Sequence, residues 1–375
     1  MATKIILYMY LSMLIGGTLL NISGVTPFNL GVVFSVIFIF FKLELVMRDS
    51  LTRKYVYILG FFWLNTLLTT LFSKDIGFSA KYLFYYFSMC IVMLLSLTVI
   101  RYKTVEAVIK VMLIFIAIFS VTTLMEVFAG FRFVTPATSG FIDTNIPLGF
   151  FGNPNGLACV MVILFCFTYA WLDYKNFIYT KYAVMSGTFM VLFFAMSRAA
   201  LVIAIAYLLI YYVYGIKNDK ISIKKTIAFC VIIALLIFPA IDLTYNFAND
   251  TENVINRSVD KFSGVFNLYD TSVDESSHIR VEMIKYVFYN FDEFLFGQGA
   301  GMGQVIMINE SGFNINPHNL MLELYMDGGV IGILTFACMY IFLITDLLNV
   351  VACENISEHR RNMSVASLIV LVTYP

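Results

Sequence analysis

Of 375 residues, 60% are hydrophobic and only 13% are charged, and the mean hydropathy is +0.86; a soluble domain carries about 25% charged residues, so that class is excluded and lipid is the solvent. The 24 basic and 24 acidic side chains cancel, leaving no basic field to attract a nucleic acid. Of the cysteines, Cys90, Cys159, Cys166, Cys230, Cys338 and Cys353, the first five sit in apolar runs and none lies in the long polar loop described below; a disulfide framework there and a C-x-x-C zinc site are both excluded, and the plain reading is small buried apolar residues.

Lys4 and the apolar run over 5–20 imitate a signal peptide. No small-x-small cleavage site follows and many further apolar runs do, so this run is read as a retained first helix. A bilayer core of about 30 Å takes about 20 helical residues. By that ruler, spans are expected near 5–20, 28–47, 55–72, 82–100, 107–130, 154–173, 177–196, 199–214, 226–244 and 317–345, and an eleventh begins near Ser364. That last run reaches Pro375 after about 12 residues, short of a span, so either the sequence is cut inside helix eleven or the chain ends there. The expected fold is all-α: a polytopic transmembrane bundle of ten or eleven helices. Residues 1–244 hold nine spans, 245–316 form one large loop, and 317–375 hold helix ten and the start of helix eleven.

Orientation follows from the connections. With the N-terminus inside, sixteen basic residues fall on the inner side: Lys4, Lys42, Arg48, Arg53, Lys54, Arg101, Lys103, Lys110, Lys175, Lys181, Lys217, Lys220, Lys224, Lys225, Arg360 and Arg361. The outer side holds eight, and four of those, Arg257, Lys261, Arg280 and Lys285, lie in the long loop, where the rule weakens. This orientation needs a tight outer turn at Ser197 and Arg198. Merging the two helices around it would place Lys217, Lys220, Lys224 and Lys225 outside, so two helices are expected.

A loop as long as 245–316 is usually functional or disordered. Within it Ile279, Met283, Ile284, Val287, Phe288 and Phe291 recur at helical spacing behind Ser276 and Ser277, which predicts a short amphipathic helix on the outer membrane surface.

Four features on the outer side gather unusual residues. Gly152-Asn153-Pro154-Asn155-Gly156 opens the sixth span. Asn153 suits an N-cap and Pro154 a first helical residue, so helix initiation alone explains the string; alternatively Asn155 and the positive helix end face an anion. Arg198, in Ser197-Arg198-Ala199-Ala200, is either a snorkelling interface residue or, since it stands against the positive-inside trend, functional. Arg280 lies in the loop helix and is followed by Gly297, Gly299, Gly301 and Gly303. Alternating glycines suggest a phosphate cradle, but no strand precedes them, and a turn returning the chain to the membrane is the better reading.

The fourth feature is Asn316-Pro317-His318-Asn319, opening the tenth span. A lone histidine is more often structural. Here the positive helix end disfavours imidazolium and keeps the ring neutral, as a general base requires; His278 and His359 have no such setting. Asn319, Glu323 and Asp327 then follow at i, i+4 and i+8 as one polar stripe descending from the loop. Gly328, Gly329 and Gly332 next to it permit close helix packing.

In order and spacing, GNPNGLA from Gly152, the SRAA turn at Arg198, the Arg280 helix running into FGQGAGMG, and PHNLMLELYMDGGVIG from Pro317 resemble the O-antigen ligase and Wzy-type polysaccharide polymerase family of bacterial membrane glycosyltransferases. The resemblance covers roughly 145–345, while the first five spans add only general hydrophobicity. It implies a GT-C-like fold working without metal or cofactor in the bacterial cytoplasmic membrane, with the N-terminus cytoplasmic and the active site on the outer face. The implied donor is an undecaprenyl-pyrophosphate-linked glycan and the acceptor a sugar hydroxyl; the implied surroundings are membrane lipid and other polysaccharide-assembly proteins. By matching position His318 is the general base, Arg198 and Arg280 bind the pyrophosphate, and Asn153, Asn155, Asn319 and Glu323 support them. The family's usual twelve or so helices exceed the room in this sequence, which implies a piece of a longer chain. Polymerase is preferred to ligase by resemblance to phenylalanine- and isoleucine-rich members. A transporter of polysaccharide precursors is the rival from another class; it would need charges or broken helices near the midplane, whereas the ionisable residues gather at helix ends apart from Glu323 and Asp327. A glycosyltransferase with its carboxylate in the first outer loop is disfavoured because 21–29 holds no acid. A non-enzymatic assembly partner is the remaining reading.

Overall fold

The computed structural model describes Tyr8, 27–41, 47–48, 50–101, 105–133, 146–151, 153–195, 197–217, 275–311, 320–353 and 355–373. The expected spans near 5–20, apart from Tyr8, and 226–244, and the candidates His318 and Asn319, lie outside these residues. Twelve helices follow one another among them: α1 (Pro27–Phe41), α2 (Ser50–Leu71), α3 (Ile76–Arg101), α4 (Val105–Ala129), α5 (Pro154–Tyr174), α6 (Ile178–Phe194), α7 (Arg198–Lys217), α8 (Glu275–Tyr289), α9 (Phe291–Phe294), α10 (Met302–Ser311), α11 (Leu320–Ala352) and α12 (Glu358–Thr373). No strand occurs among the described residues, and the fold is an all-α polytopic bundle. The segments Ile76–Leu94, Glu106–Ala129, Pro154–Tyr174 and Leu320–Ala352 are each long and apolar enough to cross a membrane, while Asn29–Phe41, Ile178–Phe194 and Ala199–Val213 are shorter apolar helices.

Helix ends follow local chemistry. Gly130 after α4 takes φ +66, the left-handed stop that glycine adopts without a Cβ penalty. Asn176 after α5 takes φ 57, a conformation asparagine tolerates better than most residues. α6 ends at Phe194 and α7 begins at Arg198, so the two are separate helices. Ser197 is buried, and its carbonyl accepts the Leu201 N–H at 3.0 Å as the first bond of α7.

The chain forms two compact units. One comprises Met1–Phe28, Val105–Asp270 and Leu347–Pro375; the other comprises Asn29–Thr104 and Thr271–Asp346. In the first, α5 is the central element and packs against α4, α6, α7 and α12. Its apolar residues run round the whole helix, as expected of a buried one, and Leu157, Ala158, Met161, Val162, Phe165 and Cys166 are all inaccessible. Burying tyrosines in such a core requires partners for their hydroxyls. Tyr169 and Tyr212 pair hydroxyl to hydroxyl at 2.9 Å, Tyr207 donates to the Cys166 carbonyl at 2.8 Å, and Tyr211 donates to Asp173, which also holds Lys181 at 2.6 Å.

In the second unit Tyr55, Leu59 and Phe62 of α2, Cys90 of α3, and Leu324, Phe336 and Met339 of α11 form one core. Lys54 lies 2.7 Å from Asp346 and over the rings of Tyr55 and Phe342, and Tyr55 donates to the same carboxylate at 2.8 Å. A second core joins Met283 and Val287 of α8 to Phe294, Ile306, Met307, Tyr325 and Met326. The loop helix therefore turns part of its apolar face into protein, while Phe288 and Tyr289 are left exposed. Elsewhere the exposed residues are themselves large and apolar, including Val33, Phe34, Phe40, Ile114, Val121, Ile331 and Leu334. An apolar exterior of this kind is what a lipid-facing bundle presents.

Several expected elements differ from those formed: α2 begins at Ser50 and α3 at Ile76, ahead of the expected 55 and 82. The tenth span does not run unbroken over 317–345; α11 extends to Ala352 and is interrupted at Gly329, whose φ 65 and ψ −164 are not helical. The last helix begins at Glu358, earlier than Ser364. With the N-terminus inside, cysteines introduced over 250–310 should react with an impermeant thiol reagent from outside, and those over 217–225 only after permeabilisation. The reverse labelling pattern would sink that orientation.

Candidate functional site

The second unit contains a junction that sequence spacing did not suggest. Gly297, Gly299 and Gly301 adopt φ of +79, +99 and +73, values that suit only glycine. This loop connects α9 to α10 and runs backbone to backbone along the break in α11. Gln298 N–H donates to the Met326 carbonyl at 2.8 Å, Gly299 N–H to the Asp327 carbonyl at 3.0 Å, and Val330 N–H to the Leu295 carbonyl at 3.0 Å. Asn65 of α2 donates to the Gly328 carbonyl at 2.9 Å. Interrupting a helix frees backbone groups that must find other partners, above all in an apolar setting; the loop and Asn65 supply them. The approach leaves no room for side chains. A Cβ on Gly297 would fall 2.6 Å from the Asp327 carbonyl oxygen, and one on Gly329 would fall 2.5 Å from that of Leu295.

Asp327 sits at the centre and is 5% exposed. Its Oδ2 accepts the Gly301 N–H at 2.6 Å and the Tyr86 hydroxyl at 2.9 Å, and its Oδ1 accepts the Gly303 N–H at 3.1 Å. Gly301 and Gly303 open α10, whose first N–H groups have no partner within the helix, so this carboxylate caps α10 from a distant part of the chain. The alternating glycines thus form a turn that encloses a carboxylate of the same protein. The turn between α2 and α3 closes the other side: Thr70 Oγ1 accepts the Ala300 N–H at 3.2 Å, and Ser73 and Ser79, paired at 2.9 Å, lie against Gly299. Glu323, one helical turn before Asp327, is partly buried and lies in the part of α11 that precedes the break. Arg280 lies within α8, before the buried Met283 and Val287.

In the first unit, Asn153 is the N-cap of α5. It has φ −144 and ψ 128, and its Oδ1 accepts the Asn155 N–H at 2.8 Å with Pro154 as the first helical residue. Helix initiation is thereby realised at Asn153, and Asn155 is exposed on the first turn. The segment leading to this cap is pinned by Glu126 near the end of α4, a fully buried residue whose Oε2 accepts the Leu148 and Gly149 N–H groups at 2.8 Å each. Arg132 donates to the Ile146 carbonyl at 2.5 Å. Burial pulls its guanidinium below the usual arginine range, and the neighbouring Glu126 opposes that shift. Phe128 of α4 meets Phe194 of α6 edge to face at 5.9 Å, which brings the end of α4 to the end of α6 just before Arg198 opens α7. Arg198, Asn153 and Asn155 therefore belong to the first unit, and Arg280, Glu323 and Asp327 to the second.

Sequence reasoning missed Asp327 as an anchor, together with Tyr86, Asn65 and Glu126. The signal for Asp327 was present in the combination of four alternating glycines with an acid directly before Gly328-Gly329. Glu126 had no such signal, since its partners are backbone groups.

Among known proteins, a family model described as O-antigen ligase matches residues 182–337, a range that takes in Arg198, Arg280, His318, Asn319, Glu323 and Asp327. Neither a curated protein nor a solved structure matches the chain. Over residues 182–337, from within α6 to within α11, the chain is thus similar to the O-antigen ligase family.

Proposed function

We propose that the protein is a membrane glycosyltransferase that polymerises undecaprenyl-pyrophosphate-linked oligosaccharide repeat units at the outer face of the bacterial cytoplasmic membrane. The observation that carries this reading is that Arg198, Arg280 and His318 all fall inside the matched range 182–337. The acceptor hydroxyl oxygen attacks the anomeric carbon of the donor, the bond from that carbon to the pyrophosphate oxygen breaks with its electron pair leaving on the pyrophosphate, and His318 takes the hydroxyl proton. Pyrophosphate needs no protonation to leave. Its growing charge needs fixed cations, and Arg198 and Arg280 provide them. Asn153, Asn155, Asn319 and Glu323 support donor and acceptor, and no metal or cofactor takes part.

The ligase alternative uses the same donor and differs in acceptor, passing finished polymer to a lipid or cell-wall group. Transport of polysaccharide precursors gains apparent support from the broken α11, because discontinuous helices are a transporter feature. Against it, the Asp327 carboxylate at that break is already held by Gly301, Gly303 and Tyr86. Deleting the gene separates these readings: loss of a polymerase leaves single lipid-linked repeat units, loss of a ligase leaves long lipid-linked chains, and loss of a precursor transporter leaves units trapped on the inner leaflet. In complementation, Arg198→Lys and Arg280→Lys should each lower polymer at least about tenfold despite retained charge, since bidentate phosphate contact needs the guanidinium fork. Wild-type polymer in both lysine variants would remove the arginines from the site.

A further inference from the structure

We infer that Asp327 is a positioning residue for the transfer reaction, locking the part of α11 before its break, which carries Glu323, to the glycine loop so that this part is held in one orientation; what is positioned rests on the transferase reading above. An uninterrupted helix orients its two ends together, whereas a break at Gly329 removes that coupling. The part over 320–328 must then be aimed by its neighbours. Two of its carbonyls, those of Met326 and Asp327, accept from Gln298 and Gly299, and a third, that of Gly328, accepts from Asn65. The Asp327 side chain adds three bonds to two further elements, the start of α10 and Tyr86 of α3. All the ties named here are hydrogen bonds within the second unit, and among them the carboxylate gathers α3, α10 and α11 at one point. Glu323 lies in this part, one helical turn before Asp327, so a tilt of 320–328 displaces it directly. Misplacing a group at a reaction site by about 1 Å can cost on the order of 10²-fold in rate without touching the chemistry itself.

Asp327→Asn tests this with nearly unchanged volume. With its oxygen at the Oδ2 position the amide still accepts from Gly301 and Tyr86, but its NH₂ then faces the Gly303 N–H, donor against donor. The full-length protein in nanodiscs would be assayed with lipid-linked repeat units, and backbone deuterium uptake followed over 297–303 and 320–330. The expected result is a kcat lowered about 10- to 100-fold with donor KM within about twofold, together with faster exchange in both stretches. Because Asp327→Asn could also lower the folded fraction, Tyr86→Phe is the second variant; it removes one hydrogen bond and leaves the loop packing in place, and it should lower kcat several-fold at an unchanged thermal midpoint. Unchanged kcat in Tyr86→Phe, or a loss in Asp327→Asn that vanishes once activity is expressed per folded protein, would overturn the inference. A wild-type protein that makes no product while Asp327→Asn still speeds exchange would remove the transferase reading and keep the lock.

Discussion

Replacing His318 by alanine should lower turnover roughly 10²- to 10⁴-fold, the range that general-base catalysis supplies, while donor binding changes little. On the proposed mechanism the loss should sit in kcat, because the base would act on the acceptor proton only as the new bond forms, whereas the pyrophosphate contacts proposed for Arg198 and Arg280 would be made in ground and transition states alike. Protein level and membrane insertion should be unaffected, since one polar imidazole contributes little to bundle packing. Purified wild-type and variant protein, matched for amount, would be compared by the initial rate of polymer formation. Equal rates would make His318 a residue of the turn and move the search for the base to Glu323.

The second large effect is on folding. Gly297→Ala or Gly329→Ala should destabilise the protein by more than about 2 kcal/mol. Each position has a positive φ, which costs an L-residue about 1–2 kcal/mol, and each new methyl would meet backbone: the Asp327 carbonyl oxygen at 2.6 Å in one case, the Leu295 carbonyl oxygen at 2.5 Å in the other. Backbone cannot rotate aside as a side chain can, so relief requires separating the loop from the broken helix and giving up the hydrogen bonds between them. Gly60 of α2 is the control, because a Cβ there meets nothing within 4 Å and alanine is the better helix former. Thermal midpoints in detergent should fall sharply for the first two variants and stay level or rise for Gly60→Ala. A midpoint unchanged in Gly297→Ala would mean that the loop does not press on α11 as described.

Helices α4, α5 and α6 of the first unit were legible because each signal was local. Apolar runs bounded by glycine, asparagine or proline predicted α4, α5 and α6 to within a few residues, and Asn153-Pro154 named the start of α5 outright. The separation of α6 from α7 followed from charge: joining them would have carried Lys217, Lys220, Lys224 and Lys225 to the outer side. The break in α11 was not legible. Gly328 and Gly329 in an apolar run read as a close-packing patch, and nothing nearby in sequence says that one of them takes a positive φ. The cause lies at 295–299, where a loop with no room for side chains supplies the hydrogen bonds that the helix gives up.

The same limit applies to the acids. Spacing placed Asp327 on a stripe with Asn319 and Glu323, but periodicity names a face and not its neighbour. The groups that hold Asp327 are glycine N–H groups and a tyrosine from α3, far away in the chain. Glu126 carried no signal at all, since the two N–H groups whose hydrogen bonds it accepts, those of Leu148 and Gly149, leave no mark in side-chain pattern. The pattern over 279–291 likewise announced an amphipathic helix and could not say what covers its apolar face; Met283 and Val287 turned out to pack into protein.

Whether this bundle transfers glycans is tested most directly by reconstituting the purified full-length chain in liposomes with undecaprenyl-pyrophosphate-linked repeat units and sizing the products on a gel. The expected result is a ladder of lengthening chains made by the wild-type protein, undiminished by chelator if the proposed metal-independent transfer holds, and absent or far weaker with His318→Ala at the same protein level. Repeat units that stay single in the presence of folded wild-type protein, or a ladder of equal strength from His318→Ala, would contradict it.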